Sequence, residues 1–149
     1  MADEIFVSGA LVFKPRGKKT LWLVVKPSHE DAWQLPKGVV RPGESSVRAA
    51  MRTVSKLTGL RANVVEEISR INTTTTRNSA PIPRRTLYYL MEGKEKDIEV
   101  EVTPNVRLEW KEFPTAKSRL ATLTEKKILS QGRSVLASWY KRDGQRLMQ

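Results

Sequence analysis

Cysteine is absent from the 149 residues, and histidine occurs once, as His29. Disulfides, thiolate metal sites and cysteine nucleophiles are therefore excluded, and a histidine-rich metal site is out of reach. Long apolar runs are missing too. None approaches the roughly 18 residues that span a bilayer, and the opening MADEIFVSGA is acidic where a signal peptide would be basic. The expectation is a soluble, cytoplasmic protein with no membrane partner. Acids are also scarce, with 16 Asp and Glu against 27 Lys and Arg, a net charge of +11. The shortage is local. Residues 68–90 carry Arg70, Arg77, Arg84 and Arg85 and no acid, and residues 111–149 hold nine basic and three acidic side chains. Such a field suits a polyanionic partner, a nucleotide or single-stranded RNA; the alternative is a charge that only keeps a small domain soluble.

What is present suits one compact domain, since 39% hydrophobic content over this length can fill a core. EIFVSGALVFK and TLWLVVK are β-rich runs around PRGKK, whose Pro, Gly and lysines predict a hairpin turn. A Pro-bearing loop leads to a short extended VVR and the turn PGES. Helical spacing then starts at Ser45 or Ser46, placing Val47, Ala50, Met51, Val54 and Thr58 on one core-facing stripe, with Gly59 as terminator. NVVEEISRIN and RRTLYYLMEG read as strands joined by an exposed, mobile loop, TTTTRNSAPIP. DIEVEV and VRLEWKEF alternate as half-buried strands do. Thr122 stands three residues before Glu125, a capping box that opens an amphipathic helix over about 123–142, with Ile128, Val135, Leu136 and Trp139 on one stripe. Strands, helix, strands and a closing helix describe an α/β sandwich.

The loop and helix over residues 38–60 carry the chemistry. Five residues separate Gly38 from Glu44, seven more separate Glu44 from Arg52, and Gly59 and Leu60 close the segment. This spacing resembles the Nudix box, Gx5Ex7REUxEExGU with U aliphatic. The surrounding AWQLPKGVVRPGE and RRTLYYLMEGKEKDIEVEV are similar to the diadenosine-tetraphosphate hydrolase, MutT-like branch of that family. The resemblance implies the Nudix fold, an α/β/α sandwich of mixed sheet with flanking helices, in a single domain over 1–149. It also implies Mg²⁺-ligating glutamates at the positions held here by Thr53, Lys56 and Leu57. The physics agrees with the grouping, because positions three and four apart share one side of a helix and could converge on a hard cation. A lysine ammonium there would repel one. A further family carboxylate falls at about Pro104, with Glu109 or Glu112 as substitutes if gaps shift the match. Without such ligands, water activation and charge neutralisation lose their source.

The resemblance therefore implies a box whose catalytic part is degenerate, with Glu44 and Arg52 as remnants that also stabilise a helix start. No metal is expected at the site, and no cofactor. The candidate ligand-binding residues are Lys37 and Gly38, in the stretch that in the family approaches phosphates, Lys56 in place of the metal, and Arg84, Arg85 and Tyr88. Tyr88 matches a family position where a ring stacks on a base. Trp33, Trp110 and Trp139 sit in core-like patterns. The leading expectation is a catalytically impaired protein that binds a nucleotide, dinucleoside polyphosphate or RNA. One alternative is a residual Mg²⁺-dependent pyrophosphohydrolase using Glu44 with Glu66, Glu67 or Glu109. Another is a structural subunit whose basic helix docks on an RNA-protein assembly.

Overall fold

In the computed structural model, residues 4–96 and 106–147 are described, with side chains for 4–94 and 106–142; the expected strand DIEVEV and the Pro104 position lie outside them. The first β-rich run forms β1 (Ile5–Arg16) and the second β2 (Lys19–Lys26), paired antiparallel with Arg16 opposite Lys19. Gly17, at φ +63°, turns the hairpin in the left-handed region that a side chain would oppose. β3 (Lys37–Val39) is three residues long and α1 covers Ser46–Thr58. β4 (Leu60–Arg77) and β5 (Ala80–Lys96) follow, then β6 (Arg107–Lys111), α2 (Phe113–Arg119) and α3 (Leu123–Leu147). The sheet order is β4-β5-β1-β2-β6, parallel between β1 and β5 and antiparallel elsewhere.

β1 forks. Its C-terminal half pairs with β2, while its N-terminal half pairs with β3, Gly9 opposite Lys37 and Ser8 opposite Gly38. The fork lays the Lys37-Gly38 stretch beside the centre of the sheet. α1 packs on one face over Ala10, Val12, Leu23, Tyr89 and Met91; α2 and α3 pack on the other over Leu11, Phe13, Trp22, Tyr88 and Leu90. The expected sandwich is the observed one.

Three expectations change. TTTTRNSAPIP is no loop: β4 and β5 run on, with Thr74 opposite Pro83 and Arg77 opposite Ala80. Asn78 and Ser79 alone turn the chain, both at positive φ, which matches the twist of a tight hairpin. β-branched threonines favour extended backbone enough to carry the strand past Ile5, the first residue of β1. The α1 stripe is rotated as well, with Ala49, Ala50, Thr53 and Val54 buried and Val47 and Met51 exposed. Small side chains let the helix sit close to Gly38, where an added Cβ would lie 2.1 Å from Thr53 Oγ1. Finally, α2 replaces the end of the VRLEWKEF run, with Pro114 in its first turn, where the missing N–H does no harm.

Candidate functional site

The box helix begins and ends on the signals its sequence carries. Ser45 Oγ accepts from the Arg48 N–H at 3.1 Å, and Gly59, at φ +73°, sends its N–H to Ser55 O. Ahead of it, Arg52 clasps Glu44 at two points, Nε to Oε2 at 2.8 Å and Nη2 to Oε1 at 2.9 Å, and Nη2 also donates to Val39 O at 2.9 Å. The Arg41 N–H adds a fourth bond into this turn, to Glu44 Oε1. The Arg52 guanidinium and that N–H hold the Glu44 carboxyl down, from the usual 4.5 to about 2. Glu44 is thus spent on the loop itself.

The rest of the segment looks different. Thr53 is buried under Gly38, and its Oγ1 has no hydrogen-bond partner. Lys56 is exposed and lines a cavity with Met51, Arg61 and Asn63. Leu57 is half-buried and packs on the α1-side core.

The main cleft lies on the opposite face, between β4, β5, the loop before β3 and the start of α3. Two adjoining cavities of about 440 and 410 Å³ share Glu30, Gln34, Lys37 and Arg84 in their walls. Trp33, Thr73 and Tyr88 extend one end, and Gly38, Thr75 and Arg77 the other. At its floor is a carboxylate that sequence reasoning assigned only to a helix cap. Glu125 is 5% exposed, and it accepts from the Leu35 N–H at 2.9 Å, the Lys37 ammonium at 2.7 Å and the Tyr88 hydroxyl at 2.7 Å. Its own N–H meets Thr122 Oγ1, so the capping expectation holds for the backbone while the side chain turns into the core. Lys37 also donates to Leu35 O at 3.0 Å, which leaves its charge neutralised locally rather than open to an anion. Burial, and then the facing Glu125 charge, push the Tyr88 hydroxyl pKa well up, so it stays a donor.

Tyr88 is only 4% exposed and its ring lies over Gly9, where an added Cβ would stand 2.5 Å from the ring; little of its face is open for stacking. Tyr89 points to the other face and bonds Ser46 Oγ at 2.6 Å. Both tyrosines are buried. The cleft therefore gathers Lys37, Gly38, Arg84 and Tyr88. Arg85 is not among them, because strand alternation sends it to the α1 face, beside Asn72 and Glu4. Lys56 is not among them either. Trp33 is half-buried, with the Arg107 and Arg119 guanidiniums 5.6 and 5.9 Å from its ring, and Trp110 lies under Lys14.

The donor set does not fit Mg²⁺. Thr53, Lys56 and Leu57 offer one hydroxyl and no carboxylate, and among the described residues no three His, Asp or Glu side chains are grouped so as to hold a metal. Glu66 and Glu67 lie on β4 and Glu109 on β6, at opposite edges of the sheet. Four strand spacings separate them, about 19 Å. Glu67 pairs with Arg70, Glu109 with Arg119, and Glu112 with Lys19. Among the described helices, none is long and apolar enough to cross a membrane.

Comparison with known proteins follows the same lines. A Mycobacterium tuberculosis (strain CDC 1551 / Oshkosh) protein with the provisional name mutator protein MutT4 is 30% identical over 99 residues, 64% of this chain and 39% of that relative. The chain thus matches well under half of the relative's length. Among solved structures, the Caenorhabditis elegans Ap4A hydrolase in a binary complex superposes with a TM-score of 0.68 at 18% identity, over 90% of this chain and 98% of that one. The NUDIX domain of Shewanella oneidensis NrtR, crystallised with ADP ribose, gives 0.71 at 15% identity, over 91% and 90%. These identities speak for the fold. The family model for the NUDIX domain matches residues 6–136, nearly the whole sheet and both of its helical layers, and the chain belongs to that family.

Proposed function

We propose that this chain binds a nucleotide or dinucleoside polyphosphate in the cleft between β5, the 30–37 loop and α3, and does not cleave it by metal-dependent chemistry. The observation that carries this reading is the box helix: a buried orphan hydroxyl, an exposed ammonium and a half-buried leucine stand where the resemblance implies magnesium-binding carboxylates. Binding is supported by the neighbours, one an Ap4A hydrolase and one crystallised with ADP ribose, and by Arg84 and Arg77 in the cleft wall. Phosphate would meet Arg84 and Arg77 rather than Lys37, whose charge Glu125 already balances. The residual-hydrolase reading is weakened by Glu44, which is committed to Arg52, and by carboxylates stranded on opposite sheet edges.

With millimolar Mg²⁺ or Mn²⁺, the purified protein should release no ATP or AMP from diadenosine tetraphosphate above buffer. Release at an ordinary enzymatic rate, about 1 per second or faster, would remove this reading. Single-stranded RNA is a second reading, favoured by the acid-free stretch 68–90 of β4 and β5, which carries Arg77 past Ile5, the first residue of β1. It predicts a complex whose affinity falls steeply with salt.

A further inference from the structure

The sheet face under α1 holds a second concavity, separate from the cleft. α1 covers that face only from its first turn inward: Ser8 Oγ donates to Ser46 O at 2.6 Å, and the helix runs from there toward Met91 and Ala62. Beyond its N-terminal end, two cross-strand rows are only partly covered, the first ending on Ser8, which the helix start buries. Arg70, Leu87 and Ser8 are paired neighbours in one row, and Asn72, Arg85 and Phe6 in the next. The 40–44 turn forms the far wall, fastened by the Val40 N–H to Phe6 O at 2.9 Å. The cavity enclosed is about 580 Å³, ample for a small ligand.

The chemistry of its walls is divided. The floor is apolar, with Leu87 half-buried and Phe6 44% exposed, the Arg85 guanidinium lying 6.0 Å from the Phe6 ring. The rim carries Arg41, Arg70 and Arg85. The one acid in the lining, Glu44, is neutralised by Arg52. Arg70 donates to Glu67 at 2.7 and 3.3 Å and Arg85 lies 3.6 Å from Glu4, but both arginines are open to solvent, and surface pairs of this kind exchange partners at little cost. α1 opens toward the cavity with no acid in its first turn to offset its positive pole.

We propose that this cavity is a second binding site, on the face opposite the cleft, for a small molecule that carries a phosphate on a flat ring. The ring lies on Phe6 and Leu87, within reach of the Arg85 plane, and the phosphate takes the forked donors of Arg41 and Arg70. Because the sheet separates the two sites, this proposal stands whether or not the cleft binds a nucleotide.

Phenyl phosphate is the simplest probe, followed by backbone amide shifts in a labelled sample. Saturable shifts should appear at Phe6, Arg41, Arg70, Arg85 and Leu87, with an affinity about tenfold or more above that of inorganic phosphate or phenol alone, since both halves of the site are needed. Phe6→Ala and Arg85→Ala change exposed or half-exposed side chains, so the fold should survive, and each should weaken binding about tenfold. Absence of shifts at these five residues up to about 10 mM ligand, or shifts confined to Thr73, Arg84 and Tyr88, would overturn the proposal. So would binding unchanged in both variants, or binding no tighter than that of phosphate.

Discussion

The two ends of the segment from Leu35 to Leu60 share one loop and one helix, yet their side chains are used in opposite ways. At the front, two charged pairs close at hydrogen-bond distance, Glu44 with Arg52 and Lys37 with Glu125. At the back, Thr53 has a buried hydroxyl without a partner, Lys56 faces solvent and Leu57 leans on the core. The front holds the loop against the fork in β1, a structural task that involves no chemistry. Its survival in the sequence therefore says nothing about catalysis. The back packs through Thr53 and Leu57 but, among the described residues, carries no charged pair, and under the proposed reading it is where the catalytic residues were replaced.

The largest effect should come from breaking the front at its buried end. Glu125→Leu strands the Lys37 ammonium and the Tyr88 hydroxyl in a mostly buried floor, which costs about 3–5 kcal/mol. Adding Lys37→Met should recover much of that loss, because a whole buried pair replaced by apolar groups is often neutral. Urea unfolding midpoints of the single and double variants measure both, and a single-variant loss below about 1 kcal/mol would place the pair in the solvent-screened class instead.

The second expected effect is pH-dependent. The folded Glu44 carboxyl is held at about 2 against an ordinary 4.5, so its ionised form is favoured by folding. That contribution is complete above about 4.5 and is lost as pH falls toward 2. The melting temperature of Glu44→Gln should lie below that of the parent at pH 6, and the gap should narrow steadily as pH falls below about 4.5 toward 2. A gap that stays constant over this range would assign the loss to shape rather than charge.

The smallest effect tests the back. Thr53→Val keeps the volume and removes a buried hydroxyl that bonds to nothing, so it should be neutral or stabilise by up to about 1 kcal/mol. Clear destabilisation in the same unfolding assay would show that Oγ1 has a partner, such as an ordered water.

Much of this arrangement was legible in the sequence because it rests on local signals. Ser45, Gly59, Thr122 and Gly17 mark turns and helix ends by their own backbone and capping preferences, and each acts where it was expected to. The box spacing led to the fold by its resemblance to the family. What could not be read depends on contacts between distant residues. Glu125 is 90 positions from Leu35 and shows only a capping pattern, since burial of its side chain follows from how α3 meets the fork. The rotation of α1 was hidden because Val47 and Met51 fit the helical period as well as Ala49 and Thr53 do; closeness to Gly38 decided between them. Arg84 and Arg85 were grouped as one basic feature, although the two-residue period of a strand already places neighbours on opposite faces. That signal was available, and it separates the cleft from the second cavity.

The central claim is that the nucleotide site works without a metal. Calorimetric titration of diadenosine tetraphosphate into the protein, once in EDTA and once in millimolar Mg²⁺, tests it directly. The account predicts dissociation constants within about threefold of each other, a difference under about 0.7 kcal/mol, and intact ligand recovered from both cells. Binding that needs Mg²⁺, or ligand recovered as cleaved products only from the Mg²⁺ cell, would contradict it.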